Sequence, residues 1–270
     1  MSVPTIRLND GTEIPQLGFG VFKVPPAEAA QVTADALAAG YRHIDTAAMY
    51  HNEEGVGQAI AASGINRDDL WITTKLDNVD QHRPAEAIRT SLRKLGLDHV
   101  DLYLIHWPMP QQDLYLDAWL EMEKAQQEGL IRSIGVSNFH GEHLRKVVAG
   151  SSTVPSVDQV EIHPSLAQYD LVTEIESFGT KAQSWSPLGR SEDLEAVEPI
   201  AAELGRTAAQ VIIRWHLQRN LIVIPKTVNP QRMAENFDVF SFELDGDTMA
   251  ALDALDAGNR VGSHPDDKNA

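Results

Sequence analysis

Apolar residues fall in short blocks along this 270-residue chain, and the blocks alternate between two patterns. Runs such as Val100-Asp-Leu-Tyr-Leu-Ile105 and Leu221-Ile-Val-Ile224 are nearly continuous, the mark of parallel strands covered on both faces. They predict strands at 43–46, 71–76, 100–106, 131–137, 156–163, 181–186 and 221–226. Helical stretches fall between them, at 26–39, 53–62, 84–95, 114–128, 141–148, 171–178, 194–204 and 208–218, with a last pair at 230–237 and 247–255. Segments 5–8 and 13–17, joined across Asn9-Asp-Gly11, read as a β-hairpin. Gly18-Phe-Gly-Val21 supplies a first core strand. Eight strand–helix units behind a hairpin predict an α/β fold, a (β/α)8 TIM barrel whose bottom the hairpin caps. An open doubly wound sheet also fits the alternation, but no Gly-x-Gly-x-x-Gly follows any strand.

Composition narrows the function. The length suits one barrel domain spanning 1–270. The formal charge of −17 argues against a nucleic-acid partner, because phosphate backbones are bound by basic faces. No run of 18 apolar residues predicts a membrane span, and no leader is evident. The absence of cysteine rules out thiolate chemistry and fits the cytoplasm. A monomer acting on a small molecule is expected.

Asp45, Lys75 and His106 each fall at the C-terminal end of a predicted strand, about one strand–helix unit apart. In a barrel that places them on neighbouring strands at the face where active sites gather. A lysine on an apolar strand needs a partner, and Asp45 is the candidate. Tyr50 follows five residues after Asp45. A lysine near a tyrosine favours the phenolate, so Lys75 is expected to lower the Tyr50 pKa and fit it for proton donation. A buried structural ion pair is the plainer reading of Asp45 and Lys75, and His163, followed by Pro164, is read as structural. Ser137, Asn138 and Gln159 bring amide and hydroxyl groups to the same rim, suited to a carboxamide. Trp185 offers a flat face for a ring. In the last unit Asn229 can cap a helix that begins at Pro230. Lys226 and Arg232 then flank a helix N-terminus whose free N–H groups favour an anion.

These segments resemble the aldo-keto reductase family, essentially end to end. Gly40-Tyr-Arg-His-Ile-Asp-Thr-Ala with Glu53 and Val56-Gly57 resembles one signature. Val100-Asp-Leu-Tyr-Leu-Ile-His-Trp-Pro and Ile224-Pro-Lys-Thr with Arg232, Glu235 and Asn236 resemble two others. Within the family the chain is most similar to bacterial 2,5-diketo-D-gluconate reductases. The resemblance implies an NADPH-dependent, metal-free carbonyl reductase with a tetrad of Asp45, Tyr50, Lys75 and His106. It implies that Ser137, Asn138 and Gln159 hold the nicotinamide amide, that Trp185 stacks on its ring, and that Ser186 and Leu188 join the cofactor site. Lys226, Thr227, Arg232, Glu235 and Asn236 would bind the adenosine end. Phe22 and Trp107 are expected to line the substrate mouth. Short loops predict an open, wet pocket for small polar carbonyls such as keto-sugar acids or α-dicarbonyls. A barrel that binds the cofactor to sense rather than to turn over is the alternative.

Overall fold

Eight short parallel strands are hydrogen-bonded in chain order, and the sheet they form curls until its last strand meets its first. The computed structural model describes residues 3–268. A two-stranded antiparallel hairpin, β1 (Thr5–Arg7) and β2 (Glu13–Pro15), precedes the barrel. The barrel strands are β3 (Phe19–Gly20), β4 (His43–Asp45), β5 (Trp71–Leu76), β6 (Val100–Ile105), β7 (Ile131–Ser137), β8 (Val157–Glu161), β9 (Lys181–Trp185) and β10 (Ile222–Val223). Around them run α1 (Pro26–Ala39), α2 (Glu53–Ala62), α3 (Pro84–Leu95), α4 (Tyr115–Gln127), α5 (Gly141–Gly150), α6 (Tyr169–Ser177), α7 (Ser191–Leu204), α8 (Ala208–Gln218), α9 (Pro230–Phe237) and α10 (Gly246–Asp253). The barrel closes where Leu17 bridges Val223 in parallel and where the N–H groups of Gly18 and Gly20 reach the carbonyls of Val223 and Pro225. Gly18 is required there, since a Cβ would lie 2.6 Å from His43 Nδ1.

Strand side chains alternate between the barrel interior and the helical layer. On β6, Tyr103 and Ile105 pack outward with the helices, whereas Leu102 and Leu104 join an inner cluster with Trp71, Val157 and Ile222. Ile6, Leu8 and Ile14 of the hairpin complete that cluster, so the hairpin plugs the bottom of the barrel. The inward parity then continues upward to polar residues: His43 and Asp45 on β4, Thr73 and Lys75 on β5, Gln159 and Glu161 on β8, Gln183 and Trp185 on β9. An apolar floor beneath polar side chains fixes where chemistry can occur. Among the described residues no helix is long and apolar enough to cross a membrane.

Several boundaries shift for physical reasons. The eighth strand is only Ile222–Val223 rather than 221–226, because the chain leaves the sheet ahead of Pro225, which has no N–H to give. Lys226 therefore stands in the following loop. Helix α7 starts at Ser191, not 194, because the Asp193 carboxylate accepts the Arg190 N–H at 3.0 Å and opens the helix early.

Candidate functional site

Lys75 has no exposed surface, and its ammonium lies 2.5 Å from Asp45 Oδ1 and 2.8 Å from the Thr46 carbonyl. The other Asp45 oxygen accepts from Gln159 Nε2 at 2.7 Å, and Gln159 also reaches Gln183 Oε1 at 3.3 Å. A chain of polar contacts thus crosses the top of the interior from β5 to β9. The Lys75 ammonium lies 5.2 Å from the centre of the Tyr50 ring. The His106 imidazole meets that ring edge-on at 5.7 Å between centroids. The four side chains expected to form a tetrad are therefore brought together.

Tyr50 sits at the end of a single 3-10 turn, Ala48–Tyr50, and a buried residue fixes that turn in place. Asn52 donates to the carbonyls of Val21 and Val24 and accepts from the Thr46 hydroxyl, tying the Tyr50 loop to the first barrel strand. Sequence reasoning missed Asn52. The nearest signal was an amide two residues beyond the tyrosine.

Proton affinities differ from the sequence expectation at one point. The Tyr50 phenol is pushed well above its ordinary value, first by burial and then by the Asp45 carboxylate. These two effects outweigh any pull from Lys75, whose ammonium is bonded to Asp45 and to the Thr46 carbonyl. Burial lowers Lys75 itself, against the opposing pull of Asp45. His106 is driven well below the usual histidine range by burial, and then by the positive charges of Lys75 and Lys268. That direction favours the neutral imidazole, whose buried Nδ1 has no hydrogen-bond partner among the described residues.

At the rim, the Ser137 hydroxyl donates to the Gln159 carbonyl, and Asn138 Nδ2 bonds to Ser137 Oγ and the His106 carbonyl. Asn138 Oδ1 accepts the indole N–H of Trp185 at 2.9 Å, which sets the plane of that ring. Gln159 Oε1 has no protein partner among the described residues. Trp185, Ser186 and Leu188 are half-buried. Gln183, inward on β9 two residues before Trp185, belongs to this layer. The period of two was the signal that could have found it.

The C-terminal tail is the larger surprise. The loops were expected to leave the mouth open, yet residues 257–268 fold back over the top of the barrel. The Val261 N–H bonds to Glu161 Oε1, and that of Gly262 reaches Glu161 Oε2 at 3.0 Å. Arg260 lies 3.5 Å from the same buried carboxylate. Gly262 packs so closely on Trp185 that a Cβ would stand 2.5 Å from the indole. His163 supports this dock, 3.0 Å from Glu161 and 3.5 Å from Asp193, as its structural reading anticipated. A cleft of about 570 Å³ between the tail and the start of α7 is lined by Arg190, Arg260 and Asp193. Phe22 is exposed and packs on Tyr50 at 5.0 Å, whereas Trp107 is nearly covered.

At the eighth unit Asn229 caps α9 as expected, and this uses up the helix N–H groups. Its Oδ1 accepts from both Gln231 N and Arg232 N, while Pro230 has none to offer. An anion there must be gripped by side chains, not by a free helix end. Lys226 and Arg232 are exposed and have no side-chain partner among the described residues. The Asn236 amide is likewise unpaired, while Glu235 bonds to Gln231. These unpaired donors and the open Gln159 acceptor fit a dinucleotide with a charged phosphate end.

Comparison with known proteins gives a consistent result. The Aldo/keto reductase family profile matches residues 16–257. The methylglyoxal reductase DkgA of Yersinia pestis is 48% identical over 97% of this chain and 96% of its own. The methylglyoxal reductase DkgA of Escherichia coli K12 is 46% identical over 98% of both. A crystal structure of a Gox0644 mutant in complex with NADPH superposes with a TM-score of 0.95 at 42% identity, covering 99% of both chains.

Proposed function

This chain belongs to the aldo/keto reductase family and is an NADP-dependent oxidoreductase acting on carbonyl groups, and we propose that it reduces small polar carbonyls with Tyr50 as general acid. The observation that carries this reading is the convergence of Tyr50, His106 and the buried Lys75–Asp45 pair above an apolar floor. NADPH, when bound, supplies the hydride to the carbonyl carbon. Gln159, Ser137 and Asn138 hold its carboxamide, Trp185 its ring, and Ser186 and Leu188 the adjoining segment. Lys226, Thr227, Arg232, Glu235 and Asn236 hold the adenosine end, with Lys226 and Arg232 on its phosphate.

A raised phenol pKa suits this role. Tyr50 keeps its proton until negative charge builds on the carbonyl oxygen, then gives it up from Oη. The Lys75 ammonium, pinned by Asp45, steadies the phenolate that results. Neutral His106 donates to the same oxygen and orients it. Phe22 lines the approach with Trp107 beside His106.

For substrate, the rim is polar and the tail narrows it, which favours α-dicarbonyls and keto-sugar acids over steroid ketones. Relatives named methylglyoxal reductase support the α-dicarbonyl class. The test is NADPH oxidation with methylglyoxal, 2,5-diketo-D-gluconate and a steroid ketone, in wild type and Tyr50→Phe. Loss of the acid should lower kcat by about 10²–10⁴-fold with NADPH affinity nearly unchanged. Near-normal turnover by Tyr50→Phe, or a steroid preferred over every small dicarbonyl, would overturn the reading.

A further inference from the structure

Away from the tetrad, imidazoles and a carboxylate converge where the tail passes the start of α5. His140 immediately precedes that helix and His143 lies in its first turn, while the tail brings in His264 and Asp266. His140 Nδ1 is 3.2 Å from Asp266 Oδ1, and His264 Nδ1 is 3.8 Å from Asp266 Oδ2. The His140 and His264 rings meet edge to face at 5.1 Å. One donor atom from each of His140, His264 and Asp266 lies within 4.8 Å of the other two. Ligands about 2.1 Å from a tetrahedral zinc ion stand about 3.4 Å apart, so this spacing closes on an ion with small side-chain rotations.

His143 is a second observation pointing the same way. Its Nδ1 accepts the His140 backbone N–H at 3.1 Å, so the neutral ring carries its proton on Nε2. That Nε2 faces Asp266 Oδ1 at 3.7 Å. An imidazole standing behind a ligating carboxylate is the usual outer support of a metal site. Attraction between Asp266 and the start of α5 accounts for the carboxylate but not for His264 beside it. Two backbone N–H groups compete for these rings among the described residues: that of His143 faces the His140 side chain, and that of Asp266 reaches His264 Nδ1 at a long 3.4 Å.

We propose that His140, His264 and Asp266 form a divalent-cation site, with zinc the best match to two nitrogens and one oxygen, and that the ion clips the tail to the start of α5. Pro265, between the two tail ligands, is already buried. The clip would hold fixed the segment that sets Gly262 on Trp185 and brings Lys268 toward His106.

The experiment is calorimetric titration of Zn²⁺ into the chelator-treated full-length protein, with bound zinc counted afterwards. Hydrogen exchange of residues 259–268 is followed in parallel. One zinc per chain is expected, with no comparable binding of Mg²⁺ and slower exchange in the tail. His264→Ala, at an exposed position, and His140→Ala should abolish that uptake, and His143→Ala should weaken it about 10–100-fold. No zinc uptake by the wild type, or equal uptake by His140→Ala and His264→Ala, overturns the site. Zinc bound without any change in tail exchange overturns the clip.

Discussion

Lys75 and Lys226 are both cations at the top of one barrel, and their surroundings are opposite. Lys75 is fully buried, held by Asp45 and Thr46, with Gln159 and Gln183 extending the contacts. Lys226 is exposed and has no partner among the described residues, as is Arg232 six residues on. The first arrangement is complete without a ligand, so the fold itself keeps the groups in register. The second is a set of unspent charges that only an anion completes. On the proposed function, preorganisation is concentrated where geometry governs the reaction, and the distant end is left to be ordered by what it binds.

The sharpest way to break this contrast is to remove one partner from the buried pair. Lys75→Met should destabilise the protein by about 3–5 kcal/mol, because Asp45 is left as an uncompensated buried charge. At this size that is a fall in Tm of about 10 °C, read by thermal melts. Lys75→Met combined with Asp45→Leu should recover part of it. A melt unchanged from wild type in Lys75→Met would mean the pair is not held as described.

Acid should act on the same end next. His43 lies beneath Asp45 on the inward face of β4, and burial lowers its pKa to about 4. In the unfolded chain a histidine takes its proton near pH 6.5. Between those values the unfolded state binds more protons, so stability falls as pH falls. His43 alone accounts for about 2 kcal/mol of loss between pH 7 and 5. Urea melts at both pH values should show that loss reduced in His43→Gln, and an undiminished pH dependence would rule His43 out.

At the proposed adenosine end the effects are smaller and concern affinity rather than folding. Arg232→Ala should weaken NADPH binding roughly 10–100-fold and leave NADH binding and Tm nearly unchanged. Equal loss for both cofactors would show that Arg232 does not read the phosphate. Smallest of all, added salt should narrow the NADPH preference of the wild type through screening. Dissociation constants at low and high salt that keep the same ratio would count against an exposed clamp.

Much of this was legible in the sequence, for identifiable reasons. Asp45, Lys75 and His106 stood out because strand length and unit length are set by barrel geometry, so spacing alone placed them on adjacent strand ends. Asn229 and Pro230 obeyed helix-start rules that act over three residues. The consequence of that cap was not legible, since occupation of the Gln231 and Arg232 N–H groups depends on where one side chain turns. The Tyr50 pKa was misjudged for a related reason: burial and Asp45 outweigh Lys75, and burial is a property of the whole fold. Residues 257–268 gave no period to read. They are held by the buried acid Glu161, about a hundred positions earlier, and by the Ser165 carbonyl, which accept backbone N–H groups that every residue but proline possesses.

The closure of the barrel has a kinetic side. Neighbouring strands such as β5 and β6 are joined by one helix, whereas Leu17, Gly18 and Gly20 meet Val223 and Pro225 from opposite ends of the chain. Bringing such distant segments together carries the greatest loop-closure entropy in the sheet, and the seam is held by few hydrogen bonds. We therefore expect the strands to assemble as an open, growing ribbon that zips shut late. In the native protein the same seam should breathe first, with the amides of Gly18, Gly20 and Val223 exchanging faster than those of Thr73–Lys75.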